Sequence, residues 1–271
     1  MAFACQPRAV EPPRDPAPSA PELASVPAPR GGAVGAVPDG WQWPLDVPPA
    51  RARRFIVVSD ATLATEAGVA RLERGGTAAD AAVTVAFVLA VVYPEAGNLG
   101  GGGFAVIRDA HGERAALDFR ETAPERAQRS MYARGSETAT RPEPRPSREG
   151  HLAAGVPGSV AGLWALHQRF GVVPWRELVA PAIELAERGF AVDDRLAQSI
   201  ADAEVKLERF PASRAVLLPH GRPPRPGEVL ANRELGLTLR RIAEQGPAGF
   251  YTGPTAELLR REMERGGGIM T

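Results

Sequence analysis

Arg120 is the residue whose neighbours best suit it to chemistry on a small molecule. It lies in Asp118-Phe-Arg120-Glu121-Thr-Ala-Pro124, at the end of an alternating apolar run, with a carboxylate close on either side. A guanidinium is a planar fork of donors that can hold a carboxylate through two parallel hydrogen bonds. Along a strand Asp118 and Arg120 share one face, so the acids could orient the guanidinium as a carboxylate clamp. The same residues could equally form a surface ion pair, which contributes little. Taken by themselves they leave both readings open, and the ion pair is the commoner outcome.

Upstream of that block runs Pro94-Glu-Ala-Gly97-Asn-Leu-Gly100-Gly101-Gly102-Gly103-Phe104. A phosphate-binding P-loop needs Gly-Lys-Ser/Thr at its end, and here Phe104 follows Gly103. A dinucleotide fingerprint follows a strand and opens a helix, whereas this run follows a helix and opens a strand. Two readings remain for Gly101, Gly102 and Gly103: close backbone packing, or a loop shaped around a small substrate beside Arg120. Composition alone favours packing.

Other chemistry finds less support. The four histidines, His111, His151, His167 and His220, show no metal-ligand spacing and are given no role. Glu184 and Glu187 sit three apart on a helix with an apolar opposite face, which predicts solvated side chains. No serine or threonine stands at a credible self-cleavage site, the place from which an N-terminal nucleophile would arise. The charge balance of 32 basic and 32 acidic residues gives no electrostatic case for nucleic acid. No cofactor is indicated.

The elements that must position Arg120 can be read from periodicity. Twelve of the 27 prolines fall in residues 1–50, which have no apolar period and are expected to be a disordered Pro/Ala-rich tether carrying Trp41 and Trp43. Folded structure is expected over 51–271. Phe55–Val58 reads as a short buried strand and 61–74 as a helix stopped by Gly75-Gly76. Thr77 and Asp80 have capping-box spacing ahead of Ala-Ala-Val-Thr-Val-Ala-Phe-Val-Leu-Ala-Val-Val-Tyr93, a helix apolar all round and so expected to be buried on every side. That run is well short of the roughly 20 residues that cross a bilayer.

Phe104–Arg108 and Arg114–Arg120 are expected to be two strands joined by a turn over Asp109–Gly112. A long polar loop follows over 125–150. Helices are then expected from Pro157, over Trp175–Ala180, over Pro181–Arg188 after a break at the proline, and over Asp193–Glu208, Arg233–Glu244 and Pro254–Arg265. The fold class implied is a mixed α/β (α+β) layout with a helix-rich C-terminal half.

One cysteine, Cys5, excludes an intrachain disulfide. Ala2-Phe-Ala-Cys5 resembles the end of a bacterial lipoprotein signal, although no apolar h-region precedes it. The alternatives are a lipid anchor on an exported protein and a free thiol in the tail.

Taken together, GGTAADAAV, PEAGNLGGGGF, DFRETAP, GVPGSVAG, PWRELVAPAIELAERGF, GPAGFYTG and the terminal GGGIMT resemble the γ-glutamyltransferases (γ-glutamyltranspeptidases) from about Arg54 to the last residue. The resemblance implies part of an αββα sandwich of the Ntn-hydrolase type, and activity on glutathione and other γ-glutamyl compounds. It gives Arg120 the substrate's α-carboxylate, with Asp118, Glu121, Gly101, Gly102 and Gly103 in support. In the family a precursor cuts itself in two, and the new N-terminal threonine of the small subunit attacks the γ-amide. These residues match only the N-terminal part of the large subunit. The resemblance therefore implies that the nucleophile, the oxyanion-hole glycines and the groups for the α-amino end lie outside the 271 residues. By itself the chain is expected to be inactive, with the rest of the precursor as its partner, and the location is expected to be periplasmic or extracellular. Two rivals stay open: a cephalosporin or glutaryl acylase on the same scaffold, and a non-catalytic remnant that binds γ-glutamyl metabolites.

Overall fold

Thr77 and Asp80 form the expected capping box, and it does more than start a helix. In the computed structural model, which describes residues 50–109, 111–132 and 146–271, the Asp80 amide donates to Thr77 Oγ1 at 3.1 Å. Asp80 Oδ2 in return accepts from the Thr77 amide at 2.9 Å. Asp80 is fully buried and also accepts the Val172 N–H at 3.2 Å, while the Thr77 hydroxyl donates to the Phe170 carbonyl at 2.9 Å. One cap thereby pins the start of a helix to a turn more than ninety residues away.

Helix α1 (Thr62–Glu73) packs on α2 (Ala78–Val92), and α2 leads into strands β1 (Phe104–Arg108) and β2 (Arg114–Asp118). After the residues following β2 come α3 (Ser159–Phe170), α4 (Trp175–Arg188), β3 (Phe190–Ala191), α5 (Asp194–Asp202), α6 (Glu204–Leu207), α7 (Pro211–Leu217), β4 (Val229–Leu230), α8 (Arg233–Gln245), α9 (Ala248–Tyr251) and α10 (Gly253–Arg265). Strands β1 and β2 form an antiparallel hairpin with Phe104 opposite Asp118 and Val106 opposite Ala116; β3 and β4 pair antiparallel elsewhere. The result is α+β, as expected. Of an αββα sandwich the described residues supply helices and two small two-stranded sheets.

The core lies where α2 and α8 pack against α4. Phe87 meets Trp175 edge-on with ring centres 5.4 Å apart, and Trp164 meets Trp175 at 4.9 Å. The Trp175 indole satisfies its N–H on the Ile242 carbonyl at 2.8 Å. His167 takes a structural place here, its Nε2 lying 2.7 Å from the Val173 carbonyl. Residues Arg51–Thr271 form one unit. The expected tether over 1–50 lies outside the described residues except for Ala50, as do Cys5, Trp41, Trp43 and 133–145 of the expected loop.

Several expectations are corrected. Phe55–Val58 forms no strand; Ile56 and Val58 are exposed while Val57 turns inward toward Gly68. An apolar run reads as buried, yet burial requires a neighbour on each side of the strand. The α2 helix is likewise not covered on every side: Ala82 is exposed, and Val85, Ala86 and Leu89 are half-buried along one stripe. Strand β2 ends at Asp118, so Arg120 stands two residues beyond it. The expected helix over 193–208 is two, α5 and α6, and the short α7 was not anticipated. Glu187 is not simply solvated: it grips Arg240 of α8, with Nη2 to Oε2 at 2.5 Å, and this guanidinium holds its carboxyl below the usual range.

Pro181 does not break the helix. Helix α4 runs unbroken from Trp175 to Arg188 with Pro181 inside it. A proline there removes the N–H that would reach the carbonyl four residues back, which is Glu177. Arg71 supplies the replacement: buried to 5% exposure, it donates from Nη2 to the Glu177 carbonyl at 2.7 Å, with Nη1 3.4 Å from the same residue's carboxylate. Arg71→Met is expected to cost about 1–2 kcal/mol by orphaning that part-buried carbonyl. In a Pro181→Ala background, where a backbone N–H returns, the cost should fall by about half or more. Denaturant melts of the four proteins in that cycle measure the coupling, and equal costs in both backgrounds would refute it.

Candidate functional site

Arg120 is held in place mainly through its backbone. Asp118 Oδ1 accepts the Arg120 amide N–H at 3.0 Å, a short local loop of the kind Asp side chains favour. The expected role of Asp118 is therefore refined: it fixes the main chain of Arg120 rather than its guanidinium. Glu121 approaches the guanidinium only at 4.0 Å, and the arginine side chain is 70% exposed. Its fork of donors is thus available to a ligand, because the one ion pair found among the described residues lies at the outer limit of contact.

Phe119 points the other way and anchors the segment. A β carbon on Gly162 of α3 would lie 2.0 Å from Phe119 Cγ, and one on Gly158 would lie 2.0 Å from the Phe119 carbonyl oxygen. Only hydrogen at these positions lets the strand end sit directly on the helix. From the other side Gly102 leaves the same oxygen room, its absent β carbon being 2.4 Å away, and Gly103 pairs its carbonyl with the Phe119 N–H at 3.0 Å. The Gly101 carbonyl accepts the N–H groups of Gly158 and Ser159 at 2.7 and 2.9 Å, capping the start of α3. The glycines are packing residues that weld the loop, the end of β2 and α3 into one body, and Arg120 projects from that body. Downstream, Thr122 and Val156 exchange both backbone hydrogen bonds, at 2.8 and 3.4 Å.

The face from which Arg120 rises is partly apolar. Exposure alternates along both strands, so Phe104, Val106, Ala116 and Asp118 share the open side of the hairpin, and Arg120 continues that row. Phe104 is 63% and Val106 88% exposed.

A charged cluster that sequence reasoning missed lies at the entry to the glycine loop. Glu95, in the turn that enters the glycine loop, pairs with Arg195 of α5 and accepts from Ser199, while Arg195 lies over the Tyr93 ring at 4.4 Å. Burial pushes the Glu95 carboxyl up, but the hydrogen bonds from Ser199 and Arg195 outweigh it and hold the group below the ordinary range. Gly158, Gly162 and Phe119 were also missed as a set, although the recurring glycines of GVPGSVAG were a visible sign of close approach. Among the described residues, no cluster of His, Cys, Asp and Glu is suited to a metal ion. No described helix is long and apolar enough to cross a membrane.

Comparison with known proteins gives this geometry its context. The family model described as gamma-glutamyltranspeptidase matches residues 64–271. The chain is 42% identical over 225 residues to the glutathione hydrolase proenzyme of Escherichia coli, covering 82% of this chain and 38% of that protein. It is 38% identical over 225 residues to the acylase ACY 1 proenzyme of a Pseudomonas species, covering 82% of this chain and 40% of that one. It superposes on the crystal structure of the Helicobacter pylori gamma-glutamyltranspeptidase with a TM-score of 0.77 and 40% identity, over 83% of this chain and 64% of that chain. It thus spans well under half the length of these curated relatives. With the family model covering Arg120, its glycine loop and α3 alike, the chain belongs to the gamma-glutamyltranspeptidase family.

Proposed function

We propose that this chain carries the α-carboxylate clamp of a γ-glutamyltransferase, which transfers or hydrolyses the γ-glutamyl group of glutathione and related compounds. The observation that carries the reading is the state of Arg120 within its DFRETAP block. Its side chain is 70% exposed with donors to spare, on a backbone immobilised by Asp118 and by the Gly102, Gly158 and Gly162 contacts. A mobile arginine loses entropy on gripping a ligand; one on a fixed backbone loses less.

In this reading the two oxygens of the α-carboxylate take parallel N–H donors of the Arg120 guanidinium, which fixes the far end of the substrate. The γ-amide then extends away from Arg120 toward an N-terminal threonine in the small subunit of the precursor, outside this chain. The threonine oxygen bonds to the γ-carbonyl carbon as the carbon–nitrogen bond breaks, and the leaving amine takes the proton. Water or an acceptor amine then releases the γ-glutamyl group from its ester. Arg120 contributes position and charge, not bond-breaking, so this chain alone is inactive in our reading. The remainder of the precursor covers the open hairpin face, a role that the exposed Phe104 and Val106 suit. The same reading makes the protein an exported zymogen, with 1–50 as a tether and Cys5 as its anchor point.

An acylase acting on glutaryl-type amides is the second reading, favoured by the match to an acylase proenzyme. A glutaryl group lacks the α-amino group but keeps the carboxylate, so Arg120 could serve either substrate. Assay of the full-length protein on γ-glutamyl-p-nitroanilide beside a glutaryl-amide substrate separates them. We expect kcat/KM at least about a hundredfold higher for the γ-glutamyl compound; the reverse preference overturns the proposal in favour of the acylase.

A further inference from the structure

Helix α3 begins without a cap of its own. Its N-cap residue is Gly158, and no side chain from the neighbouring sequence satisfies the first-turn N–H groups. Two distant groups do so instead. One is the Gly101 carbonyl already described; the other is the hydroxyl of Tyr251 in α9, ninety residues further along the chain. Tyr251 Oη accepts the Ala161 N–H at 3.2 Å and donates to the Pro157 carbonyl at 3.0 Å. The ring lies edge-on to Phe250 with centres 5.1 Å apart, half-buried beside Val156 and Pro157.

The two backbone groups that Tyr251 ties together bracket the segment behind Arg120. Val156 exchanges hydrogen bonds with Thr122, and Gly158 lies against the carbonyls of both Phe119 and Arg120, its absent β carbon being 2.0 Å and 3.2 Å from their oxygens. The Ala161 bond is exposed, so water can replace the hydroxyl there, but the Pro157 carbonyl is part-buried, and a part-buried polar group without a partner drives local rearrangement. The strand end that carries the guanidinium rests on this segment.

We infer that Tyr251 is a positioning residue for the substrate clamp: its hydroxyl fixes the Val156–Ala161 segment against which the Arg120 backbone is set. The inference rests on the clamp reading of Arg120. It deepens that reading by giving the C-terminal GPAGFYTG block a part in substrate binding.

The test is Tyr251→Phe in the full-length protein, which deletes one oxygen and keeps the ring. KM for γ-glutamyl-p-nitroanilide is expected to rise about fivefold, with kcat within about twofold, because the clamp binds a part of the substrate that does not react. The inhibition constant of free glutamate should rise in step. Leu259→Ala, which trims an apolar neighbour lining the same cleft, serves as a packing control and should lower the melting temperature without moving KM. In an Arg120→Ala background the Tyr251→Phe change should add nothing to KM.

An unchanged KM for Tyr251→Phe beside a raised KM for Arg120→Ala overturns this inference and leaves the clamp standing. An unchanged KM for Arg120→Ala overturns the clamp itself. Hydrogen exchange on the same protein reads the effect without turnover: faster exchange is expected over both 156–162 and 119–122. Change confined to 156–162 makes Tyr251 a helix cap only and overturns the positioning role.

Discussion

Replacing Arg120 by alanine is expected to raise KM for γ-glutamyl substrates by two to three orders of magnitude in the full-length protein, with kcat changed far less. Losing a bidentate, charge-assisted pair in a site closed around its ligand costs about 3–4 kcal/mol, and each factor of ten corresponds to about 1.4 kcal/mol. The loss falls on KM because the α-carboxylate is held equally in the ground and transition states. Arg120→Lys should recover only part of the affinity, since an ammonium keeps the charge but not the fork. The melting temperature should scarcely move, because the side chain is largely exposed and meets Glu121 only at 4.0 Å. A fall in thermal stability comparable with a core mutation would mean that Arg120 is structural.

Gly162→Ala is the second large effect, and it acts on folding. The new methyl carbon would sit 2.0 Å from Phe119 Cγ, 2.4 Å from its Cβ and 2.5 Å from its Cδ2. No rotamer adjustment of a few tenths of an ångström relieves that; the ring must leave its notch or α3 must move. Overpacking of this severity costs about 3 kcal/mol or more, and it displaces the residue next to Arg120. Thermal melting together with the yield of matured enzyme measures the outcome. The control is Gly100→Ala in the glycine run itself, where a β carbon meets nothing within 4 Å. That change should be within about 0.5 kcal/mol of neutral. If the two substitutions behave alike, the account of the glycines as a weld between β2 and α3 is wrong.

Much of the architecture was legible in the residues because it rests on local rules. The capping box of Thr77 and Asp80, the β1–β2 hairpin and the helices with Gly stops all follow from spacing within a few residues. What the sequence hid are partners far apart in the chain. Pro181 reads as a break until Arg71, 110 positions earlier, is seen donating to the carbonyl that the proline orphans. Phe55–Val58 reads as a buried strand because apolarity is local, while the pairing that makes a sheet is not.

The candidate site divides along the same line. Arg120 and two of its supports, Asp118 and Gly102, stand out in their blocks, whereas the packing of Phe119 on Gly158 and Gly162 does not. Composition favoured packing over ligand contact for the glycine run, and within it Gly102 does sit against the Phe119 carbonyl; the close packing of Gly158 and Gly162 was not anticipated. The second role of Asp80 at Val172 and the reach of Tyr251 to Pro157 leave no mark in local sequence, since a capping oxygen can be supplied from any distance.

The central claim is that Arg120 reads the α-carboxylate of a γ-glutamyl substrate. The most direct measurement compares kcat/KM for γ-glutamyl-p-nitroanilide with that for 4-aminobutyryl-p-nitroanilide, which lacks only that carboxylate, in the full-length protein and in Arg120→Ala. The unmodified enzyme should prefer the first by about a hundredfold or more, and the variant should lose nearly all of that preference while treating the second substrate almost as before. If Arg120→Ala slows both substrates by the same factor and the preference survives, the carboxylate is held elsewhere and the account is contradicted.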